Sequence, residues 1–406
     1  MRVAGIIAEY NPFHRGHEHH IAETRRLLGE NCAVVAVMSG NFVQRGEAAV
    51  FSKHARAEAA LRCGADLVLE LPLPWALSSA PGFADGAVQV LAATGVVDVL
   101  SFGSESGDLP TLRSLAEALD HPGLIAPLRA ALASGLSFPA AREKAAETLL
   151  GARAALLRGP NDLLAVEYLR AVRRHGAGLE ALPVFRAGAA HDSDEAADGF
   201  ASASLIRRLI LSGSQDEAAK KLPAAAWEVF QRELEEGRAP ATLQNVERAV
   251  LARLRSMTEA DYAALPDSGE GLSHRLMRCA REYASLEEVL TACKTKRYTV
   301  SRLRRMVLWA YLGLTRSDLP DAVPYLRVLG FGAVGRELLS EMGTHATLPI
   351  LTKPAHARFL SLPARKLFEL EVRASDLYAL AQPDHAAVAP GAEWRVNPVI
   401  LYLSKQ

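Results

Sequence analysis

The sequence has few cysteines and no excess charge of either sign. Its 406 residues include four cysteines, Cys32, Cys63, Cys279 and Cys293, and no CxxC pair. A disulfide framework or a structural zinc site needs closely spaced pairs, so we expect buried free thiols. Lys plus Arg number 46, as do Asp plus Glu. A net charge of zero gives no overall attraction to nucleic acid or membrane, so such a partner requires a local patch.

Long hydrophobic runs are also missing. No apolar stretch reaches the roughly 18 residues that a membrane-spanning helix requires. The N-terminal run ends at the turn Tyr10-Asn11-Pro12 and is too short for a secretory signal. We therefore expect a cytoplasmic protein with no membrane partner. Half of the residues are apolar and 23% are charged, which is enough apolar material for a sizeable core and excludes wholesale disorder.

Short apolar runs alternate with helical spacing in the first half of the chain. We predict strands over residues 3–9, 33–38, 67–71 and 96–102, and a further one over 182–186. Their uninterrupted apolar character indicates burial on both faces, and the alternation with helices indicates a parallel sheet. The fold class predicted is α/β, with a Rossmann-like domain over residues 1–212.

The second half of the chain has a different pattern. Helical spacing dominates to about residue 314, and we predict no parallel strand beyond residue 212. The Gly- and Ser-containing stretch 212–215 is a candidate boundary. We therefore predict a mainly α-helical C-terminal domain over residues 213–406.

The strongest motif lies where the first predicted strand meets a helix. It reads Asn11-Pro12-Phe13-His14-Arg15-Gly16-His17, and its two histidines, three residues apart, fall on one side of a first helical turn. A helix N-terminus offers free N–H groups that suit phosphate, and the first strand-to-helix turn is where such folds bind nucleotides. The alternative is that His14, His17, His19 and His20 are surface residues or a chance metal cluster.

This HxGH motif resembles the signature of the nucleotidyltransferase superfamily that includes the class I aminoacyl-tRNA synthetases. Further motifs narrow the resemblance to the tRNA(Met) cytidine acetate ligase family. These are GIIAEYNPFHRGHEHH at 5–20, MSGNFVQRGE at 38–47, GADLVLELP at 64–72, SFGSE at 101–105, GPND at 159–162, SASLIR at 202–207 and KTKRYTVSRLRR at 294–305.

The resemblance implies a two-step ligase activity. Acetate would attack the α-phosphate of ATP, expected with Mg²⁺, to give acetyl-adenylate and pyrophosphate. The exocyclic amine of the wobble cytidine of elongator tRNA(Met) would then take the acetyl group, giving N4-acetylcytidine and AMP. Catalysis would rest on positioning and charge stabilisation.

The resemblance also implies which residues hold ATP. His14, His17 and Arg207 would be catalytic. The predicted ATP contacts are Ile7, Ala8, Glu9, Tyr10, Asn11, Pro12, Phe13, His14, Arg15, Gly16, His17, His20, Gly103, Asn161, Arg186 and Ser204.

Several of these positions have a plainer interpretation. Gly103 would leave room for adenosine, or would simply end a strand. Asn161 would bond a ribose or base edge, or would cap a helix. Arg186 would bind phosphate as a fork, or would be a solvated side chain. Ser202, Ser204 and Arg207 resemble the superfamily's second phosphate signature.

The loop after the second strand is a candidate pocket for acetate or cytidine. Asn41, Gln44 and Arg45 carry its amide and guanidinium groups, and plain loop structure is the alternative. The family pattern has Pro after Arg-Gly-Glu and Asp before the next Lys. This chain has Ala48 and Ser52 there, which argues against a functional role for Ser52 and leaves the role of Lys53 open.

A local basic segment is the predicted tRNA contact. It has no acidic residue, and Tyr298 within it would stack on a base. A solvated helix face is the alternative. The predicted tRNA-binding residues are Lys294, Lys296, Arg297, Tyr298, Arg302, Arg304 and Arg305.

Two other functions stay open on the sequence alone. One is a small-molecule adenylyltransferase of the same superfamily, and the other is a nucleotide- and RNA-binding module without catalysis. The sequence assigns neither the oligomeric state nor the Mg²⁺ ligands, for which Glu9, Asp162 and Asp192 are candidates.

Overall fold

The computed structural model describes residues 1–175, 178–186 and 200–401. Its strands are β1 (Val3–Ala8), β2 (Ala33–Ser39), β3 (Phe42–Val43), β4 (Glu47–Ala48), β5 (Leu67–Leu71), β6 (Val99–Ser104), β7 (Glu180–Phe185), β8 (Leu326–Phe331), β9 (Ile350–Leu351) and β10 (Val399–Ile400).

The helices outnumber the strands. They are α1 (Arg15–Leu28), α2 (Lys53–Arg62), α3 (Leu73–Ala76), α4 (Ala80–Ala93), α5 (Leu109–Asp120), α6 (Ile125–Ala133), α7 (Phe138–Leu150), α8 (Pro160–His175), α9 (Ala203–Leu211), α10 (Gln215–Ala219), α11 (Ala224–Glu235), α12 (Glu247–Ser256), α13 (Glu259–Ala264), α14 (Leu272–Glu282), α15 (Leu286–Cys293), α16 (Val300–Leu312), α17 (Ala333–His345) and α18 (Leu362–Ala379).

The main sheet has the strand order β10-β8-β5-β2-β1-β6-β7, with β9 paired to β8. All of its pairs are parallel except β5 with β8, which is antiparallel. The α/β class and the Rossmann-like domain are therefore confirmed, with a sheet that is mixed rather than purely parallel.

Strand β2 shows why the sheet is covered on both faces. Val35 and Val37 lie in one cluster of buried side chains, whereas Val34, Ala36 and Met38 lie in another. Alternate residues of a strand point to opposite faces, so an apolar residue at each position needs a covering layer on both sides. Helices such as α4 and α2 supply these layers.

The C-terminal strands are the largest departure from the predicted organisation. The pattern predicts no parallel strand after residue 212, whereas β8 joins the sheet antiparallel to β5 and carries β9 and β10 with it. Strand β8 reads LRVLGF, in which Arg327 interrupts an otherwise apolar run. Arg327 is in fact buried, with its guanidinium 2.6 Å from Glu393 and over the Phe368 ring.

The predicted division at residues 212 and 213 does not separate two cores. Ile206 on α9 and Phe230 on α11 lie in the same buried cluster as Ile6 of β1. Helices α12 to α16 form the helical layer expected in the second half, and Trp309 on α16 donates to the carbonyl of Leu77 at 3.1 Å. All four cysteines are free and buried, as predicted.

Candidate active site

The turn after β1 sets the position of the two motif histidines. Tyr10 has a φ of +48°, a left-handed conformation that reverses the chain directly after the strand. Its ring and that of Phe13 pack 4.9 Å apart beneath the turn, and Tyr10 also lies edge-on to His17 at 4.8 Å. His14 then caps helix α1.

The cap fixes the tautomers of both histidines. The backbone N–H of Gly16 donates to His14 Nδ1 at 3.0 Å, and the backbone N–H of His14 donates to His17 Nδ1 at 3.2 Å. Because each Nδ1 accepts a hydrogen bond, the proton of each neutral ring resides on Nε2. The rings are stacked with centroids 3.7 Å apart, so they present two neighbouring N–H donors.

The electrostatics keep these rings neutral. Burial, together with the nearby Arg186 and Arg207 guanidinium groups, lowers the pKa of His14 to about 3. Burial and the adjacent His14 lower the pKa of His17 as well. Two stacked cations would repel each other, so the pair acts as a hydrogen-bond donor and does not act as a pair of charges.

Gly16 is needed because the His14 ring lies directly beside it. A Cβ there would lie 2.9 Å from Cε1 of His14. The His14 ring itself therefore fills the space beside the glycine. Gly103 is similar, since a Cβ would lie 2.7 Å from Cδ of Arg186, whose side chain crosses the strand end there.

Arg56 holds the ends of the two central strands and was not predicted from the sequence. Its guanidinium is fully buried and donates to the carbonyls of Glu9 at 2.6 Å, Ser39 at 3.1 Å and Gly40. Nε donates to the carbonyl of Phe51 at 2.9 Å. These bonds fix the β1 and β2 ends against each other. An arginine inside a helix gives no sequence signal of this role.

Helix α9 forms the facing wall of the site. Ser202 caps it by accepting from the backbone N–H of Leu205 at 3.2 Å. Arg207 then reaches the turn, donating to the Asn11 carbonyl at 2.9 Å and to the Ser204 hydroxyl at 3.3 Å. The second motif is thereby brought beside the first across a large separation in sequence.

Helix α8 and strand β7 contribute a third wall. Glu105 accepts from the backbone N–H and the side-chain amide of Asn161, at 3.0 and 2.6 Å. The remaining amide oxygen of Asn161 accepts from Arg186 at 2.9 Å. Asn161 is therefore not the helix cap, because Glu105 satisfies its N–H and that of Asp162.

These elements enclose a cleft of about 260 Å³. Most predicted ATP and pocket residues line it. They are Ile7, Ala8, Glu9, Tyr10, Asn11, His14, Gly16, His17, His20, Gln44, Arg45, Gly103, Asn161, Arg186, Ser204 and Arg207.

Four predicted contacts lie outside the cleft lining. Phe13 is fully buried, and Pro12 lies beside it in the turn. Arg15 is exposed and donates to the carbonyl of Leu222 at 3.4 Å. Asn41 accepts from the backbone N–H of Lys53 at 2.9 Å and donates to Ser375 at 3.3 Å, so it organises the loop.

Apolar side chains that the sequence did not single out also line the cleft. Leu164 and Tyr168 follow Asn161 at helical spacing on α8, which is a signal available from sequence. Phe83, Phe102 and Phe200 come from separate elements and carry no such signal.

The described residues do not present a ready Mg²⁺ site. Asp162 accepts from Ser104 and from the backbone N–H groups of Glu105 and Ser106. Glu9 accepts from the N–H of Gln44 at 2.8 Å, and burial raises its pKa. Asp192 lies outside the described residues. No group of three or more metal-ligating side chains occurs in the described part of the chain, so we derive no step through a metal.

The predicted tRNA-binding segment divides into exposed and buried residues. Lys294, Lys296 and Arg297 are exposed. Tyr298 is buried and its hydroxyl donates to the carbonyl of Glu270, so its ring is not available for stacking. Arg305 is also buried, at 3.3 Å from Asp267.

The remaining two arginines of that segment are half-buried and paired. Arg302 lies 3.0 Å from Glu270, and Arg304 bonds Glu47. Among the described helices, none is long and apolar enough to cross a membrane.

Comparison with known proteins places this geometry among nucleotidyltransferases. A family model described as HIGH Nucleotidyl Transferase matches residues 1–390. The tRNA(Met) cytidine acetate ligase of Fervidobacterium nodosum is 36% identical over 408 residues, covering 95% of this chain and 96% of that protein. The protein of the same name from Acetivibrio thermocellus is 35% identical, covering 99% of this chain and 100% of that protein.

Two crystal structures of Thermotoga maritima TmcAL match the whole architecture. The apo structure superposes with a TM-score of 0.94 at 35% identity, covering 99% of this chain and 100% of that chain. The structure bound with alpha-thio ATP gives a TM-score of 0.93 over the same shares of the two chains.

Proposed function

This chain belongs to the HIGH nucleotidyl transferase family and, within it, to the tRNA(Met) cytidine acetate ligases, and on that premise we propose that it joins acetate to elongator tRNA(Met) at the expense of ATP. Acetate and ATP would give acetyl-adenylate and pyrophosphate. The wobble cytidine would then receive the acetyl group as N4-acetylcytidine, with release of AMP.

In the first step a carboxylate oxygen of acetate forms a bond to the α-phosphorus, and the bond to the bridging β-phosphate oxygen breaks. Negative charge then increases on the phosphate oxygens. The Nε2–H groups of His14 and His17 are neutral donors fixed by the helix cap, and such prearranged donors stabilise developing charge without reorganisation. Arg207 supplies a positive charge on the facing wall.

The nucleoside would lie toward β6 and α8. Gly103, Asn161 and Arg186 line this end of the cleft, beside the apolar side chains of Leu164 and Tyr168. An apolar wall with a few polar groups is the usual composition of a site that binds a planar ring. The Thermotoga maritima relative, whose crystal structure is bound with alpha-thio ATP, has the same fold over the whole chain.

In the second step the exocyclic amine of cytidine attacks the acetyl carbon. The carbon–oxygen bond to AMP breaks, and the amine releases one proton. Gln44 and Arg45 lie at the cleft on the loop between β3 and β4, and we place the acetyl group and the cytidine there.

For the tRNA body we propose the exposed residues Lys294, Lys296 and Arg297, together with Arg302 and Arg304. Exposed cations bind phosphate by releasing counterions. A cytoplasmic location is expected of an enzyme that modifies tRNA, and Mg²⁺ is expected to accompany ATP. Both stay predictions.

The observation that carries the proposal is the pair of neutral Nε2–H donors at the head of α1. The test is ATP–pyrophosphate exchange with acetate, with and without tRNA(Met), followed by nucleoside analysis of the tRNA. Acetate-dependent exchange and N4-acetylcytidine are the expected results. Exchange that needs another acid or a nucleotide would favour a small-molecule adenylyltransferase, and tRNA binding with no exchange would favour a non-catalytic module.

A further inference from the structure

Glu47 lies between two arginines that belong to different proposed sites. Its Oε1 accepts from Nη1 of Arg304, at the start of α16 in the basic segment. Its Oε2 is 3.6 Å from Nη2 of Arg207, at the phosphate end of the ATP cleft. One carboxylate is therefore shared between a cation of the RNA surface and a cation of the nucleotide site.

The backbone around Glu47 keeps these two sites in contact. Gly46 has a φ of +77°, and a Cβ there would lie 2.5 Å from the backbone nitrogen of Arg305 and 2.6 Å from Cβ of Arg304. Any larger residue would push the loop off α16. Arg305 also donates to the carbonyl of Gln44 at 3.3 Å. The loop that carries Glu47 is thus held against the helix by close packing, which fixes its distance from both arginines.

Neither arginine has a second carboxylate as close as Glu47 among its described partners. Arg207 otherwise donates to the Asn11 carbonyl and the Ser204 hydroxyl, both neutral. When an anion binds one arginine, Glu47 loses part of its attraction to that cation and pairs more completely with the other. A carboxylate that neutralises a cation more completely weakens the binding of phosphate to it.

We propose that Glu47 is a positioning residue that makes the binding of nucleotide triphosphate and of RNA phosphate mutually unfavourable. The inference rests on the proposed function. When a triphosphate binds Arg207, Glu47 pairs more strongly with Arg304, and Arg304 then binds RNA phosphate more weakly. Departure of pyrophosphate after adenylation reverses this effect, so RNA binds better once the first step is complete. By linkage, bound RNA weakens triphosphate binding by the same factor.

The test measures the affinity of the full-length protein for tRNA(Met) at low salt, with and without saturating α,β-methylene ATP. This analogue cannot transfer its adenylyl group to acetate. For the unmodified chain we expect the dissociation constant for tRNA to rise on the order of three-fold with the analogue, the size typical of a part-exposed ion pair. Glu47→Gln should remove this dependence and tighten tRNA binding in both conditions.

Glu270→Gln is the matched control. Glu270 pairs with Arg302 of the same helix at 3.0 Å and makes no bond to Arg207. This variant should keep the full dependence on the analogue. Arg304→Gln, which leaves Glu47 in place, should bind tRNA less tightly and lose the dependence, and it serves if Glu47→Gln does not fold.

The inference is overturned if Glu47→Gln keeps the nucleotide dependence, because direct repulsion between the two anions would survive that change. It is also overturned if the unmodified chain binds tRNA equally well with and without the analogue while N4-acetylcytidine is still formed. In that second case the proposed function stands. A chain that makes no N4-acetylcytidine and binds no tRNA would instead refute the proposed function.

Discussion

Two groups of buried charges lie along the same sheet and differ in how completely they are paired. At the β5 and β8 side, the closed cluster consists of Lys53, Glu70, Arg327, Glu371 and Glu393. Lys53 Nζ is 2.8 Å from Glu70 and 2.9 Å from Glu393, and Arg327 is 2.6 Å from Glu393. At the β1 and β6 side, the cleft presents histidine and arginine donors whose protein partners are mostly neutral.

The extent of this pairing distinguishes a structural group of buried charges from a functional one. Inside the closed cluster each cation has a carboxylate, and Tyr325, Ser375 and the N–H of Leu73 satisfy remaining carboxylate oxygens. The cations and carboxylates of this cluster are thus paired with one another, although Nη1 of Arg327 is buried without a hydrogen-bond partner among the described residues. In the cleft the Nε2–H groups have no acceptor among the described residues, so an anionic ligand completes the pairing that the protein leaves incomplete.

The largest expected effect comes from removing a cation of the closed cluster, and it is on stability. Lys53→Met removes the central cation and leaves the carboxylates of Glu70 and Glu393 buried without it. We expect a loss of about 3–5 kcal/mol in the free energy of unfolding, because removing one partner of a buried ion pair leaves the other charge buried and uncompensated. Urea unfolding measures it. Lys144→Met, which breaks an exposed pair with Glu147, is the control and should change little. A wild-type midpoint for Lys53→Met would refute the structural role.

The second effect is on catalysis. His17→Ala removes one Nε2–H donor and should lower the acetate-dependent exchange rate about 10²- to 10³-fold, the cost of losing one charge-stabilising donor. The affinity for tRNA should change little, and the midpoint of unfolding should fall only by the loss of one cap hydrogen bond. His274→Ala, at an exposed histidine paired with Glu259, is the matched control. Normal turnover in His17→Ala would remove the histidine from the proposed mechanism.

A third and smaller effect tests whether the exposed cations of the basic segment contribute to tRNA binding. Lys294, Lys296 and Arg297 are exposed, whereas Arg302 and Arg304 are paired. Changing the three exposed residues to Gln should weaken tRNA binding and lower the slope of log affinity against log salt by roughly 0.7–0.9 for each lost phosphate contact. Exchange without tRNA should be unaffected. An unchanged slope would place the tRNA elsewhere.

The sequence predicts the strands and turn around the cleft better than it predicts how the C-terminal strands complete the sheet. Local sequence patterns predict strands β1, β2, β5 and β6 and the first turn of α1. Apolar runs indicate the burial of these strands, and the residues before the helix indicate its cap. These patterns do not predict the closed cluster, since Lys53 and Arg327 meet only after β8 has paired with β5. The role of Arg56 could not be predicted either, because its partners are backbone carbonyls from other elements. The need for glycine at position 16 depends on the orientation of the His14 ring, which the sequence does not indicate.

The last expected effect is a difference in how the two groups respond to pH. In the cleft, burial lowers the pKa of His14 and of His20 to about 3. An unfolded histidine titrates near 6.5, so below that pH the unfolded state gains protons that the folded state excludes, and stability falls toward acid. For the buried His14 the slope is about 1.4 kcal/mol per pH unit.

The closed cluster has the opposite slope. Burial and the neighbouring Glu70 raise the pKa of Glu371 to about 8. An unfolded glutamate ionises near 4.5, so the contribution of neutral Glu371 is complete below that pH and is lost as the pH rises toward 8. Unfolding free energies at pH 5, 6.5 and 8 should therefore separate the groups. His14→Gln should reduce the loss toward pH 5, and Glu371→Gln should reduce the loss toward pH 8. Matching pH profiles in the two variants would mean that the two groups of buried charges are not electrostatically distinct, and the comparison would fail.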